Sequence, residues 1–204
     1  MGRACESAGR QTESVTLISV SKNQPLEKLW EAYELGLRDF GESRLQEAES
    51  KILAMPKDVQ WHFIGNLQSN KAKRIATLFS VIHTLDKEAQ LKEIAKANRP
   101  VDVLLEVNIA DEPQKSGNPV NLLDAFRSQV LNCELTRFRG LMTIGPAVED
   151  PELMRPYFRL MKQINDRAGG EWLSMGMSGD FEVAIQEGST HIRVGTALFG
   201  ERDK

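Results

Sequence analysis

This chain of 204 residues has little that would serve a metal, a membrane or a nucleic acid. Its two cysteines, Cys5 and Cys133, lie far apart without Cys-x-x-Cys spacing, so neither a disulfide framework nor a thiolate zinc site is expected. Cys133 reads as a small packed hydrophobe. The three histidines, His62, His83 and His191, are scattered singly, and His62 and His191 sit on or beside apolar strands as core or rim residues. No metal site follows. The longest apolar runs, residues 103–105 and the interrupted stretch 15–20, fall far short of the roughly 20 residues that cross a bilayer. Met1-Gly2-Arg3 leads into polar residues rather than an apolar stretch, so no secretion signal is read and the expected compartment is the cytoplasm. With 26 Lys+Arg against 29 Asp+Glu the net charge is −3, which leaves no basic excess for extended nucleic-acid binding. The one short basic cluster, Lys71-Ala-Lys73-Arg74, is most simply a solvated helix face.

What the chain does have is alternation. Residues 15–21 (VTLISVS) form a β-branched run of strand length, and Pro25 then suits the start of a helix whose stripe is Leu26, Leu29, Trp30, Tyr33 and Leu37, ending near Gly36. A very short strand at 39–40 leads to Ser43, expected to cap a helix carrying Leu45, Ala48, Ile52 and Met55. Strands at 59–64, 79–85, 101–109, 135–142, 172–175 and 191–194 follow. Helices are expected over 67–78 and 87–98, around Leu122 to Val130, around Met154 to Ile164, and over 181–186, with a short tail from Phe199. Eight β-then-α units without a Pro/Gly-rich break predict one domain over residues 1–204, a closed (β/α)8 TIM barrel with short helices. An open doubly wound sheet would carry a Gly-rich stretch after its first strand, where Lys22 stands instead.

In such a barrel the loops after the strands gather on one face. The sequence places Lys22, Glu42 and Ser43, Asn66 and Gln68, Asn108, Met142 and Thr143, Gly176-Met-Ser-Gly-Asp180 and Arg193-Val-Gly-Thr196 there. Ser178-Gly179 before a helix, and Gly195-Thr196 after the last strand, offer hydroxyls and backbone N–H groups that suit a phosphate, or else serve as turns and caps. Lys22 ends an apolar strand at a partly desolvated mouth, where a neutral amine would form a Schiff base; the plainer alternative is a lysine that snorkels to solvent. A phosphate site together with such an amine suggests pyridoxal 5′-phosphate (PLP).

The motifs Leu17-Ile-Ser-Val-Ser-Lys22, Phe40-Gly-Glu-Ser-Arg-Leu-Gln-Glu47, Trp61-His-Phe-Ile-Gly-Asn-Leu-Gln-Ser-Asn-Lys71, Lys115-Ser-Gly117, Gly140-Leu-Met142, Met175-Gly-Met-Ser-Gly-Asp180 and Ile192-Arg-Val-Gly-Thr-Ala-Leu-Phe-Gly200 occur in this order. Together they resemble the YggS/PROSC group of PLP homeostasis proteins over nearly the whole chain. The resemblance implies a fold like the N-terminal domain of alanine racemase, of fold type III. It makes Lys22 the Schiff-base lysine, and Ser178, Gly179, Gly195 and Thr196 the phosphate cradle. Arg193 resembles the arginine beside the pyridine nitrogen, where a cation disfavours ring protonation and weakens the cofactor as an electron sink. Asn66, Gln68 and Asn70 are helix caps or polar contacts. Two departures stand out: Ser43 replaces the asparagine that the group carries in Phe-Gly-Glu-Asn, and only residues 1–14, a remnant of the N-terminal helix, precede the first strand.

The resemblance also implies a monomeric, non-catalytic PLP carrier and regulator, with PLP-dependent enzymes in their apo form as partners. A racemase of this barrel type needs a second base, a tyrosine in alanine racemase, and both tyrosines here, Tyr33 and Tyr157, fall on expected outer helices. Lys22 could itself act as a base, so a small PLP-dependent racemase or lyase is the alternative. A phosphate-ligand barrel with no Schiff base is a third reading.

Overall fold

Every one of the eight expected β-then-α units is present in the computed structural model, which describes residues 1–200. The strands are β1 Thr16–Val20, β2 Asp39–Glu42, β3 Gln60–Phe63, β4 Val81–Leu85, β5 Val101–Glu106, β6 Thr136–Met142, β7 Trp172–Ser174 and β8 His191–Val194. All neighbours pair in parallel, and β1 pairs with β8, which closes the barrel. The helices are α1 Gly2–Ser7, α2 Leu26–Glu34, α3 Leu45–Ala54, α4 Ser69–Leu78, α5 Glu88–Ile94, α6 Leu123–Leu131, α7 Arg155–Arg167, α8 Phe181–Gln186 and α9 Thr196–Phe199. They are short, as a chain of this length requires of the fold.

Strand periodicity sorts the side chains into two layers. Outward residues such as Phe40, Trp61, Phe63 and Ile82 meet the apolar stripes of the helices, including Leu29, Ile75, Phe126 and Phe158, in one continuous core. Inside the barrel, Val81, Leu104 and Met142 form a smaller apolar cluster with Trp172 packed against it.

The differences from the sequence reading lie at element ends. Ser43 does not cap α3, because the chain enters that helix through Arg44 with no side-chain cap. Strand β5 stops at Glu106 rather than at 109. The Asn108 side chain bonds both the backbone N–H and the carbonyl of Glu112, at 3.1 and 2.8 Å, and turns the chain. Residues 196–199 coil into α9, while residues 201–204 of the expected tail lie outside the described residues. The N-terminal segment packs onto α8 and β8. Ala4 and Cys5 of α1 are buried with Val15, Ile185, Ile192 and Val194, and Arg10 donates to the carbonyls of Ile185 and Ser189.

Gly140 marks an irregularity in the β5–β6 ladder, between the pairs Val103–Phe138 and Leu104–Gly140. Its φ is +150°, and a Cβ there would fall 1.9 Å from the Trp172 carbonyl oxygen and 2.9 Å from Asn165 Oδ1. The same Asn165 oxygen accepts from the Leu141 N–H at 3.0 Å, so the clash cannot be relieved without losing that bond. Gly140→Ala is therefore expected to destabilise the fold by about 2–4 kcal/mol, read from the midpoint of urea unfolding.

Candidate functional site

The C-terminal ends of the strands enclose a cavity of about 280 Å³. Lys22, Ser178, Gly179, Arg193, Gly195 and Thr196, all six residues singled out from the sequence, line it together with Val20 and Met177. Val20 and Lys22 are two apart and share the inner face of the first strand's line, which carries the lysine into the mouth.

The turn that presents Lys22 is clamped from the opposite side. Ser21 Oγ donates to Glu42 Oε1 at 2.7 Å, and Lys51 Nζ donates to the Ser21 carbonyl at 2.7 Å and to Glu42 Oε1 at 2.8 Å. Lys51 also pairs with Glu47 at 2.6 Å, and Glu47 accepts the N–H of Asn23, whose φ is +59°. Thus both residues flanking Lys22 are tied to α3. Glu42, expected at the mouth, in fact shares the outward face with Phe40 and is fully buried between sheet and helix. Burial pushes its carboxyl up, while Lys51 and Ser21 pull it back. Lys51 was missed by the sequence reading. Its signal is that it follows Leu45 and Ala48 at three-residue steps, so a charge falls on a buried helix stripe and needs a partner.

Arg193 forms the inner wall of the cavity and is 4% exposed. Its Nη1 donates to Ser174 Oγ at 2.7 Å and its Nη2 to the Thr143 carbonyl at 2.9 Å. Both partners are neutral, and among the described residues no carboxylate lies within ion-pair distance of it. Burial lowers this guanidinium to about 10. From Ser174 a hydrogen-bonded column continues through the barrel: Ser174 Oγ to His83 Nδ1 at 3.0 Å, His83 Nε2 to His62 Nδ1 at 2.9 Å, and His62 Nε2 to Asp39 Oδ1 at 2.9 Å. Arginine only donates and a carboxylate only accepts, so the column has one direction. In that direction Ser174 gives its proton to His83 Nδ1 and each histidine donates from Nε2, an assignment made from the hydrogen-bond partners. Asp39, the first residue of β2 with a side chain 31% exposed, ends the column at the opposite mouth.

The other wall of the cavity is backbone. Ser178 Oγ accepts the N–H groups of Gly195 and Ala197, each at 3.4 Å, which ties the loops after β7 and β8 together with long, weak bonds. A Cβ on Gly179 would meet nothing within 4 Å, so the approach to these N–H groups is open. An amine, a buried cation with neutral partners and a cradle of N–H and hydroxyl groups fit an aromatic aldehyde bearing a phosphate. Ser43 and Gln68 do not line this cavity; Asn66 lines a neighbouring one. Among the described residues no group of His, Cys, Asp or Glu side chains is placed to hold a metal, and no helix is long and apolar enough to cross a membrane.

The model of the alanine racemase N-terminal domain family matches residues 10–203. A pyridoxal phosphate homeostasis protein of Aquifex aeolicus is 44% identical over 212 residues, covering 98% of this chain and 92% of that one. This chain belongs to the YggS/PROSC family of pyridoxal phosphate homeostasis proteins. The relative from Pseudomonas aeruginosa is 42% identical over 98% of this chain and 90% of its own. Among solved structures, PipY of Synechococcus elongatus, with PLP bound, superposes with a TM-score of 0.85 at 34% identity, covering 97% of this chain and 98% of that one. The alanine racemase of E. faecalis, at 15% identity and a TM-score of 0.72, shares the fold over 97% of this chain and 56% of its own.

The buried column makes a pH prediction for this family member. Burial holds His83 well below the usual histidine range, so the folded protein keeps it neutral while the unfolded chain protonates it below about pH 6.5. Its contribution to stability is complete above that pH and is lost as pH falls. His83→Gln is expected to flatten the fall of unfolding free energy with decreasing pH below about pH 6.5, by at most about 1.4 kcal/mol per pH unit. Imidazole ¹⁵N shifts of the wild-type protein should show Nε2–H tautomers at His62 and His83.

Proposed function

We propose that this chain binds PLP at the C-terminal mouth of the barrel and serves PLP homeostasis as a monomeric cytoplasmic carrier and regulator. Lys22 holds the cofactor covalently as a Schiff base. The observation that carries this reading is the gathering of Lys22, Arg193, Ser178, Gly179, Gly195 and Thr196 around one cavity, in a family whose named members are PLP homeostasis proteins. PLP supplies an aldehyde that condenses with amines and a ring that withdraws electrons.

The chain's own residues do the rest. Ser178, Gly179, Gly195 and Thr196 would hold the phosphate through hydroxyls and backbone N–H groups, and Lys22 is presented by the clamped turn. Arg193, lining the same cavity, would disfavour a proton on the ring nitrogen of the bound cofactor, which supports holding over turnover. The two tyrosines, on α2 and α7, belong to the outer layer, so neither supplies a second base at the mouth. The partners that fit a carrier are PLP-dependent enzymes in their apo form.

Purified protein incubated with PLP is expected to gain visible absorbance and, after borohydride reduction, a pyridoxyl adduct on the Lys22 peptide. Lys22→Ala should lose the adduct. Arg193→Ala should weaken PLP binding by at least about tenfold, the loss of one charge-assisted contact. No adduct on Lys22 in the wild-type protein overturns the assignment. Rapid exchange of an amino acid's α-proton by the loaded protein would replace the carrier with an enzyme.

A further inference from the structure

The mouth of the barrel holds a second cavity, of about 290 Å³, which shares Ile64 and Ile144 with the first. Its floor is Glu106, the last residue of β5, with Asn66, Thr84 and Lys115 around it. Glu106 is 7% exposed. Its backbone carbonyl accepts from Asn118 N and Nδ2, at 2.7 and 3.1 Å, but among the described residues its carboxylate has no hydrogen bond and no ion pair.

The fold isolates that carboxylate on purpose-built geometry. Gly117, at φ +111°, lies over it so closely that a Cβ there would stand 3.3 Å from Glu106 Cγ and 2.6 Å from the Asn108 N–H nitrogen. The neighbouring polar groups are already engaged. Asp86 accepts from Gln90 Nε2 at 2.6 Å and from the Gly117 N–H at 3.2 Å. Lys115 Nζ donates to the Gly145 carbonyl at 2.8 Å and pairs with Glu112 at 2.6 Å. Thr84 Oγ1 donates to the Gly65 carbonyl at 2.6 Å. Glu106 therefore stands as an acceptor-only group aimed into a cavity, and a buried carboxylate in that state is costly unless a donor meets it. The charged groups that face it are Asp86 beyond β4, Lys87 before α5 and Arg193 on β8. Burial and Asp86 raise its carboxyl to about 7, against the pull of Arg193 and Lys87.

We propose that this second cavity is a binding subsite for a primary ammonium group, with the Glu106 carboxylate as its partner. On the reading of the first cavity given above, the subsite holds an amine next to the cofactor that Lys22 carries. The ammonium belongs either to a simple amine or to a small amino acid.

Ammonium binding requires the charged form of Glu106. Cofactor-free, full-length protein titrated with ethylamine and with L-alanine is therefore expected to bind at least one of them in the millimolar range, with about half a proton released per ligand at pH 7. Calorimetry in two buffers of different ionisation enthalpy reads that proton. Affinity should rise about tenfold from pH 6 to pH 8. Glu106→Gln should weaken binding at least about tenfold and abolish the proton release. Binding of ethylamine assigns the site to a bare amine, and binding of L-alanine alone assigns it to the amino acid. No binding of either probe up to about 10 mM, or equal affinity in Glu106→Gln, overturns the proposal. Should that variant not fold, a wild-type affinity that does not rise between pH 6 and 8 overturns it equally. Borohydride trapping on Lys22 is read separately, so loss of the PLP assignment and loss of the amine subsite are distinguishable outcomes.

Discussion

A guanidinium buried inside the barrel without a carboxylate beside it is the constraint to which the rest of this structure answers. Arg193 is satisfied by a hydroxyl and a carbonyl, and the hydroxyl of Ser174 must then pass its own proton onward. That requirement places His83 on β4, His62 on β3 and Asp39 on β2, all facing inward, where barrels of this type carry branched aliphatic side chains. Apolar filling is supplied by Val81, Leu104 and Met142 with Trp172 packed against them, and by Ile18 on the inward line of β1. Through this interior runs a polar column that orients one cation, which apolar filling could not do.

The first strand mediates between two such networks. Its inward line ends at Lys22 in the mouth, while its outward line ends at Ser21, bound to Glu42 and Lys51 on the helix side. A lysine on a flexible stem would roam. With Ser21 and Asn23 both fastened to α3, the backbone on either side of Lys22 is held, and the lysine is carried to the cavity that Arg193 also lines. The clamp needs a buried charge pair, and burying Glu42 with one oxygen unpartnered makes that pair a specifying device more than a stabilising one.

How much of this the sequence carries depends on range. Eight alternations of strand and helix periods are local, so the barrel is readable, and so are Ser178-Gly179 and Gly195-Thr196, because loops after the last two strands are fixed by the fold. Strand ends were harder, since a side chain such as Asn108 turns the chain where periodicity would continue. The polar column was not readable at all. His83 and Ser174 are 91 residues apart, and their meeting depends on the stagger between strands, which sets Ser174 opposite His191. Glu42 was misplaced for a simpler reason: its parity with Phe40 puts it on the outer face, a period-two argument that holds even in a strand of four residues.

The mouth that results is electrically divided. Lys22 and Arg193 lie on the side of β1 and β8, and Glu106 and Asp86 on the side of β4 and β5, with Ile64 and Ile144 between the two cavities. The two halves sense one another, since Arg193 draws the Glu106 carboxyl down and Glu106 holds the Arg193 guanidinium up. An anionic ligand seated beside Arg193 screens that cation from Glu106, and the carboxyl then takes up a proton more readily. Loading one half therefore changes the charge of the other.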